Sequence, residues 1–198
     1  MPAANVNYQR TREMTIEELL LEHRIVFLVG EINWASASRV MMQMLYLDHQ
    51  RRGQDINFYI NSPGGVVDDT MRFMGSSIAT YCIGRAYSGG ALLLTAGTKG
   101  KRFILPHAKV MIHQPFGGVT GQAEDIRVQA EQIIKSKQAL IDIFAEHTGQ
   151  DADRIRNDSE RDKYFNAMEA KEYGLVDEVL QRPPPGSPTG PEGAGVTS

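Results

Sequence analysis

The chain has 198 residues, 41% of them hydrophobic and 23% charged, with a formal net charge of −3. This is the ordinary mix of one soluble domain with a substantial core. It carries no long basic block of the kind that displaces counterions from phosphates, which argues against sequence-independent nucleic-acid binding. The single cysteine, Cys82, excludes an intramolecular disulfide framework and disfavours a thiolate metal cluster. Its setting, "TYCIG", reads as a buried, unreactive thiol.

The opening "MPAANVNYQRTREM" (1–14) is polar, has no period and lacks the apolar core of a signal peptide, so it reads as a flexible arm. No stretch is apolar for long enough to span a bilayer, and a reducing cytoplasm is the expected compartment. Thr15 and Glu18 have capping-box spacing ahead of "ELLLEHR", which predicts a short helix. "RIVFLVG" (24–30) reads as a strand, and 35–50 as a helix with Val40, Met41, Met44 and Leu45 on one face. "DINFYINSPGG" (55–65) is a strand running into a Pro-Gly-Gly turn, followed by a short helix near 68–74. "ATYCIG" (79–84) reads as a strand and "GGALLLTAG" (89–97) as a helix; 101–106 and 109–115 read as two further strands. Ile126, Ile133, Ile134, Leu140, Ile141 and Phe144 mark a long amphipathic helix over 122–147, stopped by Gly149. A last helix starts at Asn166, with Glu169 at capping-box distance, and ends at Gly174 before a short strand in "GLVDEVL". The tail "RPPPGSPTGPEGAGVTS" (182–198) cannot bury enough apolar surface to order itself. The expected organisation is therefore an arm (1–14), one parallel-rich α/β domain (15–181) and a disordered tail (182–198).

In α/β domains ligands collect where strand C-termini meet helix N-termini. Two glycine-bearing junctions of that kind occur, at Gly64-Gly65 and at Ser88-Gly89. The first amides of a helix lack intrahelical acceptors, and two of them aimed at one point can stabilise an oxyanion. Gly65 and Gly89 are candidates for that role, although taken alone each reads first as a turn residue. Ser88 would need a base and an orienting acid to act as a nucleophile. Among the five histidines, His23 and His49 lie in charged stretches, His107 follows Pro106, and His147 sits in a last helical turn. His113 differs, because it ends the apolar strand "KVMI" on the same edge as the two glycine junctions.

Other chemistries fit poorly. Ala86 stands where a nucleophile elbow has glycine, and Asp142 and His147 share one helix, so an α/β-hydrolase reading is weak. "AGTKGKR" lacks phosphate-loop spacing, and "DADRIRND" (151–158) fails as a calcium loop because Ile155 holds a ligand position. "NDS" (157–159) matches a glycosylation acceptor without a secretory signal to support it.

The motifs "YINSPGG" (59–65), "GRAYSGGALLLTAGTKGKRFILPHAKVMIHQP" (84–115), "GQAEDI" (121–126), "EHTGQ" (146–150) and "ERDKYFNAMEAKEYGLVDEV" (160–179) closely resemble the ClpP family of proteolytic subunits. The likeness runs in consistent order over about 16–180. It implies the ClpP/crotonase-like α/β fold, a repeated ββα superhelix with a projecting strand–helix handle around "FGGVTGQAEDI". It places the nucleophile on Ser88, the base on His113, the orienting acid on Asp162 and the oxyanion amides on Gly65 and Gly89. It also implies that Gly117 and Gly118 border an extended substrate strand, and that Glu160 and Arg161 contact an opposite ring. No metal or organic cofactor is implied. The implied partners are further copies of the chain or a paralogue in a double heptameric ring, an ATP-driven unfoldase of the ClpX, ClpA or ClpC type that uses the ATP itself, and unfolded polypeptides.

The chain departs from the family pattern in three places. The segment after "SPGG" is shorter by roughly six residues, about 9 Å of helix. Tyr87 and Gly89 flank Ser88 where Ala and Met are usual, and the N-terminal arm is shorter. Two other readings share some of these residues: a structural ring subunit with little activity alone, and a crotonase-like acyl-CoA enzyme. Signal-peptide-degrading proteases also carry "NSPGG"-like segments, but pair the serine with a lysine and attach to membranes.

Overall fold

The computed structural model describes residues 14–65, 75–115 and 118–181. Most of the expected arm, the short helix near 68–74 with the shortened segment, Gly117 and the tail (182–198) lie outside the described residues.

Among the described residues thirteen elements follow in chain order: α1 (Ile16–Glu22), β1 (Ile25–Val29), α2 (Trp34–Gln50), β2 (Ile56–Ser62), β3 (Ile78–Tyr87), α3 (Gly89–Thr95), β4 (Arg102–Ile104), β5 (Lys109–Ile112), α4 (Ala123–Thr148), α5 (Ala152–Asp158), β6 (Lys163–Phe165), α6 (Ala167–Tyr173) and β7 (Glu178–Val179). Among the described residues they build one sheet in the order β1-β2-β3-β4-β7, from which β5 and then β6 branch off β3. Its pairings are parallel except β5–β6, which is antiparallel. The expected parallel-rich α/β domain is thus present.

The branch arises because β3 changes neighbour along its length. Thr80–Cys82 pair with β4, whereas Arg85–Tyr87 pair with β5. Between these stretches the register with β2 slips, from Ile60↔Cys82 to Ser62↔Ala86. Asn61 fills the slip: its Oδ1 accepts from the Arg85 amide (3.3 Å) and would lie only 2.7 Å from a Cβ on Gly84. Such a bulge re-aims the strand beyond it, here the part that leads to Ser88.

Alternation along β2 buries Ile56, Phe58, Ile60 and Ser62 on one face. On the other face Phe27, Tyr59, Tyr81 and Phe103 stand in register on four neighbouring strands, with successive ring centroids 4.5–5.1 Å apart. The aliphatic face packs with Met44 and Leu47 of α2, Leu94 of α3, Ile141 and Phe144 of α4, and Leu175. Cys82 is fully buried in this core, and burial pushes its thiol up to about 12.

The helix ends follow local chemistry. Thr15–Glu18 and Asn166–Glu169 form reciprocal capping boxes as the spacing predicts, and Gly174 closes α6 in the left-handed conformation. Two inward faces differ from expectation. On α2 the buried residues are Met44 and Leu47, with Val40 packed beside them, while Leu45 is exposed. A 3.6-residue period carries the stripe from 40 to 44 and 47, which leaves 45 off the face. On α4, Ile141 and Phe144 are buried but Ile126 and Ile134 are exposed. The first half of that helix therefore projects from the core, as the handle of the resemblance implies, although the described residues 118–122 hold no strand.

Two elements have no counterpart in the sequence expectations. The segment 151–158, read only as a failed calcium loop, holds α5 (Ala152–Asp158), with the Asp151 carboxylate capping the amides of Asp153 and Arg154. Residues 163–165 form β6 against β5. Among the described residues no helix is long and apolar enough to cross a membrane.

Candidate active site

β3 runs through to Tyr87, and α3 starts two residues later at Gly89, so Ser88 makes the whole turn by itself. Its backbone pays in conformation, with φ 53° and ψ −120°, a region that L-residues other than glycine rarely occupy. The turn is anchored at both ends. The Ser88 amide donates to the Met111 carbonyl (2.8 Å), and the Ser88 carbonyl accepts from Ala91 (2.9 Å) and Leu92 (3.1 Å). A serine at a helix N-cap normally turns its hydroxyl onto the first amides. Here the side chain makes no capping bond and meets His113 Nε2 at 2.8 Å.

His113 follows the last residue of β5, with its ring 21% exposed. On its far side Nδ1 lies 3.3 Å from Asp162 Oδ1, and the Asp162 side chain is 54% exposed. The antiparallel register explains the meeting. Ile112 pairs with Lys163, so one step further along the ladder sets residue 113 beside residue 162. Ser88, His113 and Asp162 are therefore brought into one line from three separate elements.

The Gly64–Gly65 turn rests on the same spot. A Cβ on Gly64 would come within 2.6 Å of both the Ser88 Cβ and the Tyr87 carbonyl oxygen. The buried Ser62 Oγ accepts from the Gly64 amide (3.0 Å), and the Gly64 carbonyl accepts from Ile32 (2.8 Å). Gly65, at φ +141°, would place a Cβ 1.9 Å from the Ile32 carbonyl oxygen, so no side chain fits there. Gly89 is the first residue of α3 and is buried, and an amide in that position has no intrahelical acceptor. The two glycine junctions thus meet at the serine.

The remaining expected residues divide. Glu160 and Arg161 are exposed on the loop that carries Asp162. Gly118 is exposed and a Cβ there would meet nothing within 4 Å, while Gly117 lies outside the described residues. His23, His49 and His107 are exposed, and Asp142 and His147 share α4 as expected. Among the described residues no cluster of three or more His, Cys, Asp or Glu could hold a metal. Tyr87, one of the departures beside the serine, turns its ring edge-on to Tyr164 of β6 at 5.5 Å.

Sequence reasoning missed the residues that fix the Asp162 loop. Lys163 Nζ donates to Asp158 Oδ1 (2.5 Å), and the Tyr173 hydroxyl donates to Asp158 Oδ2 (2.8 Å). Burial alone would raise the Asp158 carboxyl, but these two donors hold it below its ordinary value, and burial with the neighbouring carboxylate raises the Tyr173 phenol. Gln114, directly after the base, binds the same loop. Its adjacency to His113 was the available signal.

A family model described as Clp protease matches residues 8–183. The chain is 48% identical over 184 residues, covering 90% of its length and 81% of the relative's, to the ATP-dependent Clp protease proteolytic subunit 1 of Rhodopirellula baltica. With both the matched span and the strand-to-helix serine turn in place, the chain belongs to the Clp protease family.

Proposed function

We propose that the chain is the proteolytic subunit of an ATP-dependent Clp protease and acts as a serine endopeptidase. The observation that carries this reading is the 2.8 Å contact from Ser88 Oγ to His113 Nε2, with Asp162 on the opposite ring nitrogen. In this mechanism Ser88 Oγ attacks the carbonyl carbon of a peptide bond and passes its proton to His113 Nε2. Asp162 keeps the Nδ1 proton facing itself and stabilises the imidazolium that forms. The amides of Gly65 and Gly89 donate to the tetrahedral oxygen, each donor supplying about 3 kcal/mol to the transition state. Collapse breaks the C–N bond, and His113 hands the proton to the leaving amine. Water, deprotonated by His113, then releases the acyl group from Ser88.

Every role in this scheme falls to a side chain or amide of the chain, so it calls for no metal or organic cofactor. The substrate would run as an added strand past Gly117 and Gly118. Copies of the chain, alone or with a paralogue, would form heptameric rings stacked through the handle and the Glu160–Arg161 loop. A separate hexameric unfoldase of the ClpX, ClpA or ClpC type would use ATP and feed unfolded protein inward, and the assembly would work in the cytoplasm.

The test combines native mass measurement with fluorophosphonate labelling and hydrolysis of casein and a fluorogenic peptide. Tetradecamer-sized particles labelled at Ser88, with hydrolysis abolished in Ser88→Ala, are expected. Particles that form but neither label nor cleave, alone or with a paralogue, would overturn the reading in favour of a structural ring subunit.

A further inference from the structure

Asp162 is more exposed than buried, and its contact with His113 is 0.5 Å longer than the contact between His113 and Ser88 (3.3 against 2.8 Å). With the Asp162 side chain 54% exposed, packing constrains that distance little, and the backbone of residues 159–162 carries the carboxylate into place. On its C-terminal side this loop is tied down by the β5–β6 ladder and the Lys163–Asp158 contact. On its N-terminal side the Ser159 and Glu160 amides bond back to Ile155 and Asn157 of α5, and Gln114 ties down their carbonyls. The Gln114 amide donates to the Ser159 carbonyl (2.6 Å), and its side-chain Nε2 donates to the Glu160 carbonyl (3.1 Å). The residue next to the base thus grips the two carbonyls that lead into the acid.

A glutamine side chain can present either its oxygen or its NH2 group to a given partner, and only the NH2 group can bind a carbonyl. Lys137 removes the choice. Its Nζ donates to Gln114 Oε1 at 2.9 Å, which leaves the NH2 group facing Glu160. Lys137 stands on α4, beyond the exposed Ile134 and before the buried Ile141, where the helix returns to the core.

Resting on the serine-peptidase reading, we propose that Gln114 is a positioning residue that sets the His113–Asp162 geometry, and that Lys137 orients its amide for that task. Their side chains are engaged with each other and with the Glu160 carbonyl. Their loss therefore lowers kcat while leaving KM in place. A misplacement of this kind is worth roughly tenfold to a hundredfold in rate.

The experiment uses the assembled particle and reads peptide hydrolysis together with the rate of fluorophosphonate labelling at Ser88. Gln114→Ala and Gln114→Glu are both expected to lower kcat by about tenfold to a hundredfold at unchanged KM. The glutamate variant keeps the shape and the Lys137 contact, but turns an anionic oxygen on the Glu160 carbonyl in place of the donor. Lys137→Met should follow in the same direction, and Lys137→Arg should restore the rate. In an Asp162→Asn background, Gln114→Ala should slow labelling no further, because the two residues act through one contact. Wild-type kcat in Gln114→Ala, a loss confined to KM, or an undiminished loss in the Asp162→Asn background would overturn the inference. If Ser88→Ala and Asp162→Asn themselves leave hydrolysis intact, the peptidase reading falls and this inference falls with it.

Discussion

At the scale of single residues, the site depends on two backbone conformations that ordinary side chains resist. Ser88 holds a positive φ although it is not glycine, a strain of about 1–3 kcal/mol that frees its hydroxyl from helix capping. Gly65 holds φ +141° with no room for a side chain. Gly65→Ala should therefore push the turn off Ile32, lowering peptide hydrolysis by at least about a hundredfold through loss of the proposed oxyanion donor. Stability should drop by about 1–3 kcal/mol in the same variant, read as a lower Tm. Gly118→Ala is the matched control. Its site is open, so its stability should stay within about 0.5 kcal/mol of wild type.

At the scale of elements, the polar ends of helices were legible and their inward faces less so. A capping box is a contact between residues three apart, so Thr15–Glu18 and Asn166–Glu169 can be read directly from the chain. Asn166→Ala should cost about 1 kcal/mol in chemical denaturation, since it removes the acceptor for the Glu169 amide. Burial is different, because it depends on which neighbour covers the helix. Leu45 and Ile134 carry the same apolar side chains as Leu47 and Ile141, yet only the latter pair meets the core. The α5 helix escaped notice because its cap, Asp151, was weighed as a metal ligand rather than as an acceptor for Asp153 and Arg154.

At the scale of the whole molecule, one buried ion pair closes the far edge of the sheet. Arg102 of β4 binds Asp177 through Nε (2.9 Å) and Nη2 (2.6 Å), and the amides of Gly100 (2.7 Å) and Arg102 (3.0 Å) bind the same carboxylate. Burial pushes the Asp177 carboxyl up, but the Arg102 guanidinium and these amides hold it below its ordinary value. A carboxylate depressed in the folded state contributes stability that is full above its unfolded pKa, about 4, and is lost as pH falls through the folded value. Asp177→Asn should thus cost about 3–5 kcal/mol at neutral pH by removing the anionic partner of a buried guanidinium, which keeps only the Thr95 and His147 carbonyls and a neutral amide. The gap from wild type should narrow progressively below about pH 4, measured by denaturant unfolding across pH. A gap that stays constant down to pH 2 would exclude this assignment.

The alternation of strands and helices, the two glycine junctions, the capped helix ends and, through the resemblance, the three residues of the proposed triad can all be read from the order of residues. These are short-range patterns or motif matches, and both survive in a linear string. That His113 and Asp162 meet follows from the fold, because the contact comes from β6 folding back antiparallel on β5, a pairing with no local signature in "DKYF". The same holds for the slip of β3 around Asn61, the seating of Gly64 against Ser88, and the Gln114 bridge from α4 to the Asp162 loop. Each joins residues more than twenty positions apart. Such contacts are fixed by strand register and packing, which the local order of residues does not encode.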